Sequence, residues 1–202
     1  MRSSAAFILI AVAALGLALS GGCGENAIEG HTRPTLLSIN GGAPLHADVF
    51  VEDTTVTGGG YIPEESVEFV FANPPSQRFL DLTPDDPYGV FILDSYTVRY
   101  EVLQMLPTGS GFSEANLPAV SAPIHLGLPV NAEVTTALVL APASLKLEPP
   151  ILDLMPGTGT VPYGEVVVQA EITFTGHEQG SNRSQSFEAV TTILFANYAD
   201  ED

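Results

Sequence analysis

The chain has no tryptophan, a single cysteine, six Lys and Arg, and four scattered histidines, and each shortage removes a class of function. Cys23 has no partner, so no disulfide can form within the chain and the fold must stand on its core. Six basic residues against 24 acidic ones give a formal net charge of −18. That balance argues against nucleic acid, whose phosphates need cationic partners, and against docking on anionic lipid headgroups. Solubility and mutual repulsion are the plain use of such a charge. His31, His46, His125 and His177 lack the HExxH or paired spacing that zinc ligation favours. Sugar-binding sandwiches usually present aromatic platforms. Without tryptophan only Tyr61, Tyr88 and Tyr163, beside Gly or Pro in loops, are available, and turn packing is their plainer role.

Catalytic motifs are missing as well. Gly111-Phe112-Ser113-Glu114-Ala115 approaches a nucleophile elbow, but that device needs a sharp strand-to-helix turn in an α/β sheet, which nothing here supplies. Gly157-Thr158-Gly159 lacks the third glycine and the lysine of a phosphate cradle. The expectation is a protein that is not an enzyme, uses no cofactor and shows no identifiable small-molecule substrate. Asp81, Asp85 and Asp86, joined by Asp94, form a candidate calcium set, because calcium takes six to eight oxygens from flexible loops. Their spacing misses the EF-hand pattern, and solvated loop acids are the plainer reading. Asn182-Arg183-Ser184 matches the glycosylation sequon and reads equally as turn chemistry.

What is present starts with Ala5 to Cys23, an apolar run behind Met1-Arg2 that ends in small residues, the layout of a secretory leader. Its apolar part falls short of the roughly 20 residues a spanning helix needs. Leu19-Ser20-Gly21-Gly22-Cys23 resembles the lipobox of bacterial lipoproteins, although Ser20 stands three places before the cysteine where Leu is usual. The resemblance implies that Cys23 is diacylated and becomes the new N-terminus. Two chains, each buried methylene contributing about 0.8 kcal/mol, hold stably where one is marginal. Two other readings are an uncleaved N-terminal anchor and a plain signal peptide cut near Ser20. Gly24 follows the cysteine, and by resemblance to the sorting rule of Gram-negative lipoproteins the absence of Asp there favours the outer membrane. The organisation is then a leader over 1–22, a lipidated tether over 23–34 and one domain over 35–202. With Arg2 gone and every acid kept, the mature charge is about −19.

Alternation of apolar and polar residues predicts strands over 35–39, 46–51, 64–72, 88–103, 120–128 and 132–140. The turn cluster Asn40 to Pro44 and the stop Asn73-Pro74-Pro75 punctuate them. Residues 77–88 and 106–118 read as loops. The Pro-rich stretch 141–162 reads as a connection crossing between sheets. Val166, Val168, Ala170, Ile172 and Phe174 share one face, and Phe187, Ala189, Thr191, Ile193 and Phe195 repeat the pattern after a turn over 176–184. That is a long antiparallel hairpin. Seven to nine strands without helical periodicity predict an all-β, antiparallel Ig-like β-sandwich, with an up-and-down β-barrel as the alternative.

YGVFILDSYTVRY (88–100), KLEPPI (146–151), AEITFTGHEQGSN (170–182) and ILFANYADED (193–202) resemble signature blocks of a group of uncharacterised bacterial lipoproteins predicted to carry one Ig-like domain. The resemblance implies a single domain and brings no activity. The functional expectation is a lipid-anchored, non-catalytic envelope protein, a structural or protein-interaction module. Its partners are the membrane, through the lipid on Cys23, and possible envelope proteins. The alternative is a calcium- or glycan-binding module.

Overall fold

The computed structural model describes residues 30–53, 55–56, 59–106, 117–156, 164–181 and 183–198. The sequence-based assignments for Cys23, Ser113, Gly157 to Gly159, Tyr163 and Asn182 lie outside them. Among these residues ten strands run in chain order: β1 (Thr35–Ile39), β2 (Leu45–Asp48), β3 (Val51–Asp53), β4 (Gly59–Tyr61), β5 (Glu65–Ala72), β6 (Val90–Leu106), β7 (Val120–Pro129), β8 (Glu133–Ala141), β9 (Glu165–Glu178) and β10 (Ser184–Ala196). One short helix, α1 (Ala143–Lys146), follows β8. The strands form a three-stranded sheet ordered β1-β5-β8, a five-stranded sheet ordered β2-β10-β9-β6-β7, and a small hairpin of β3 and β4. The fold is all-β, with one sheet open and strongly curled into a half-barrel. All pairings are antiparallel except that of β2 with β10.

Period-two alternation explains the core. Val166, Val168, Ala170, Ile172 and Phe174 on β9 are buried, as are Val67, Phe69 and Phe71 on β5. Phe174 meets Phe69 and Phe71 edge-on, at centroid distances of 5.7 and 5.1 Å, and Phe187 stacks on it at 5.2 Å. These rings join the two larger sheets with the geometry that aromatic quadrupoles favour. Two tyrosines add polar ties: the Tyr96 and Tyr100 hydroxyls donate to the Val139 and Leu140 carbonyls, each at 2.8 Å. Burial, with Tyr96 close by, pushes the Tyr100 phenol well above its ordinary value, so the donor keeps its proton. Tyr100→Phe is expected to cost about 1–2 kcal/mol of unfolding free energy, because a buried carbonyl loses its partner. A urea midpoint unchanged by that substitution would remove the hydroxyl as a tie.

Three boundaries differ from expectation. The strand predicted over 46–51 is broken, because Asp48 Oδ1 accepts from the Phe50 amide at 3.3 Å and bends the chain between β2 and β3. The turn predicted from Gly176 starts later, since β9 continues to Glu178. Gly176 belongs inside the strand because a Cβ there would lie 2.3 Å from the Ile92 carbonyl oxygen. Finally, residues 31–34, read as tether, lie on the domain: Thr32 bridges Pro75, and the Arg33 amide donates to the Pro74 carbonyl at 2.9 Å. Of the stretch 141–162, residues 141–156 are described: they leave β8 of the three-stranded sheet with Leu145, Ile151 and Leu154 buried, and the next described strand, β9, lies in the five-stranded sheet.

Candidate binding groove

Strand edges expose unpaired N–H and C=O groups, and proteins normally cover them. In the two larger sheets three of the outer edges are capped or interrupted. On β7, Pro123 and Pro129 lack donors and His125 takes a positive φ of 55°, all poor templates for pairing. On β8 the carbonyls of Val139 and Leu140 take the two tyrosine hydroxyls. On β2, only four residues long, the Asp48 amide donates to Glu65 Oε1 at 3.1 Å, and its carbonyl accepts from Lys146 Nζ at 2.5 Å.

The exceptions are β1 and the first part of β10. From Thr35 the chain pairs with β5 in the three-stranded sheet. A turn at Asn40, Gly41 and Gly42, with φ of 49°, 60° and 87°, then carries it across so that β2 pairs in parallel with Ile193 to Ala196. The Asn40 side-chain amide fixes this turn by donating to the Ala43 and Pro44 carbonyls at 3.2 and 3.0 Å. The positive φ values suit Asn and Gly, which have little or no Cβ penalty there. Because the chain switches sheets, residues 184–192 of β10 pair with β9 on one edge only, and their outer edge and the outer edge of β1 have no strand partner among the described residues. A groove of about 1260 Å³ lies between them, with Leu36, Ile39, Phe187, Ala189 and Thr191 half-buried in its lining. Glu188 is the one charged residue among the described lining residues. Leu37 and Val190 flank it at 53% and 59% exposure.

The segment that leads into β1 is held by a buried carboxylate. Glu178 continues the core-facing register of β9 and is fully buried. It accepts from the amides of His31 and Thr32 at 2.5 and 3.2 Å and from the Ser181 hydroxyl at 2.7 Å, and it pairs with His31 Nδ1 at 3.0 Å. The His31 ring packs between Phe79 and Tyr88, at 4.3 and 4.2 Å. Burial by itself would raise the Glu178 carboxyl, but the hydrogen bonds from His31, Ser181 and the backbone outweigh it and hold the group below the usual glutamate range. Gly30 abuts Gln185, where a Cβ would come within 2.4 Å of the side-chain amide, so this segment meets the start of β10.

A second buried charge supports β2. Lys146, on α1, is fully buried and donates to the carbonyls of Asp48 and Pro63, at 2.5 and 2.7 Å, and to the Glu65 carboxylate. Burial pushes the Lys146 ammonium below and the Glu65 carboxyl above their ordinary values.

The candidate calcium residues are not brought together. Asp81 and Asp85 are exposed. Asp86 accepts from the Thr83 amide and hydroxyl, both at 2.8 Å, which lowers its pKa and closes the turn. Asp94 pairs with His177 across β6 and β9 at 2.8 Å. Among the described residues no group of three or more His, Cys, Asp or Glu could hold a metal ion. Nor is any helix there long and apolar enough to cross a membrane. Tyr61 and Tyr88 are exposed, but Tyr88 is occupied by His31. Comparison with family models and with curated proteins gave no match.

Proposed function

We propose that the protein is a lipid-anchored, non-catalytic binding module of the bacterial envelope, built on an Ig-like sandwich. The strand order supports that architecture. One sheet is β1-β5-β8 and the other β2-β10-β9-β6-β7, with the first strand of the sandwich divided between them as β1 and β2. The observation that carries the function is the groove. It lies between two open edges, whereas the outer edges of β2, β7 and β8 in the two larger sheets are capped or interrupted, which favours a binding role over a purely structural one. The lipobox-like Leu19 to Cys23 supplies the anchor, with the envelope and the outer membrane as its address. The anchor has a direct test. Mass spectrometry of the mature N-terminus is expected to find an acylated Cys23, lost when signal peptidase II is inhibited with globomycin. A free, unacylated terminus would sink it.

The same groove favours a second reading, a site for a small envelope ligand such as a glycan. Titration calorimetry with cell-wall glycans and with calcium distinguishes it: saturable heat that vanishes in Val190→Lys would establish it, and no heat would dismiss it.

A further inference from the structure

We infer that the groove takes an extended, positively charged segment of a partner protein, added as a strand along the open edge of β10 beside β1. This rests on the binding-module reading and names the occupant of the same site. Backbone chemistry sets the first requirement. Residues 184–192 of β10 and the outer side of β1 offer donors and acceptors at strand spacing, which another extended backbone matches along its whole length. The pleat sets the second. Alternate residues of such a strand would lie beside Phe187, Ala189 and Thr191 on the groove side, where Leu36 and Ile39 complete an apolar floor. Those positions call for apolar, β-branched side chains. The intervening ones would lie beside Glu188 and Val190 on the solvent side. Charge sets the third requirement. A second copy of this chain would bring another −18 to a groove whose charged lining residue is Glu188. Like charges at that density repel, whereas Lys or Arg opposite Glu188 makes a favourable cross-strand pair. The occupant is therefore a basic strand from a different protein.

The test uses the full-length protein in detergent micelles and hydrogen exchange read amide by amide. The probes are three peptides of about nine residues, matching the open stretch, with Val, Ile and Thr at alternate positions and Lys, Glu or Ser between them. The lysine peptide is expected to slow exchange in β1 and in residues 184–192 of β10, to bind at least about tenfold tighter than the glutamate peptide at low salt, and to lose to it in Glu188→Lys. Glu188 is exposed, so that substitution spares the core. Protection that appears with protein concentration and no peptide would overturn the proposal in favour of self-association. Protection by the glutamate peptide as strong as by the lysine peptide, or none by any peptide, would overturn it too. A photo-crosslinker at Leu37 separates the two levels. An adduct with a partner and no peptide protection ends strand addition alone; loss of both ends the binding module.

Discussion

Lys146→Met is expected to lower the unfolding free energy by about 3–5 kcal/mol, the usual cost of breaking a buried ion pair from one side. The methionine fills a similar volume, so packing is nearly conserved. What is lost is the positive charge paired with the Glu65 carboxylate, together with the donor to the Asp48 and Pro63 carbonyls. Glu65 would remain half-buried with the Asp48 amide as its partner. Because these groups close the outer edge of β2, the loss should be accompanied by faster exchange of the Asp48 amide. Adding Glu65→Gln to Lys146→Met should recover part of the loss, since removing both charges is far less costly than removing one. Chemical denaturation of the two single variants and the double variant measures the cycle. A single-variant loss below about 1 kcal/mol would mean that the pair is a surface-like contact.

Glu178→Ala is the second large effect, about 3 kcal/mol, because it strands the amides of His31 and Thr32. The damage should be local. Exchange at His31 and Thr32 is expected to accelerate about a hundredfold while the β6–β9 ladder keeps most of its protection. The pH dependence has a fixed sign. The folded carboxyl is held below its ordinary 4.5, so its contribution is complete above that value and is lost as pH falls through the folded pKa. Glu178→Gln should flatten this acid limb. An acid limb equally steep in wild type and Glu178→Gln would assign it to other carboxylates.

Much of the fold was legible because burial imposes a period of two. Val67-Phe69-Phe71 and Val166 to Phe174 announce half-buried strands whatever their partners, and their faces are those expected. What escaped was set by contacts distant in sequence. The bend after Asp48 depends on one side-chain oxygen meeting the Phe50 amide, and the continuation of β9 depends on Phe91 and Ile92 leaving room for nothing larger than Gly176. A turn placed at Gly176 hides Glu178. Once β9 runs through Gly176, its alternation places a glutamate on the core-facing side, a signal the sequence does contain. Lys146 gives no such signal, because Ser-Leu-Lys-Leu in a Pro-rich stretch reads as an ordinary connection. The groove has none at all. An open edge is defined by which strands fail to pair, and the sheet switch between β1 and β2 is a property of topology.

The charge acquires a use in this account beyond solubility. A domain at −18 that left its apolar β1/β10 edges open would be at risk of pairing with itself, and mutual repulsion protects it while leaving a basic strand free to enter. The most direct measurement is site-specific photo-crosslinking in cells carrying the full-length protein, with the probe at Leu37 beside the groove or at Leu80, which is 69% exposed in the loop before β6. The expected result is an adduct to the same partner segment from Leu37 and not from Leu80, abolished by Glu188→Lys. Equal adducts from both positions, or none from Leu37, would contradict a binding role for the groove.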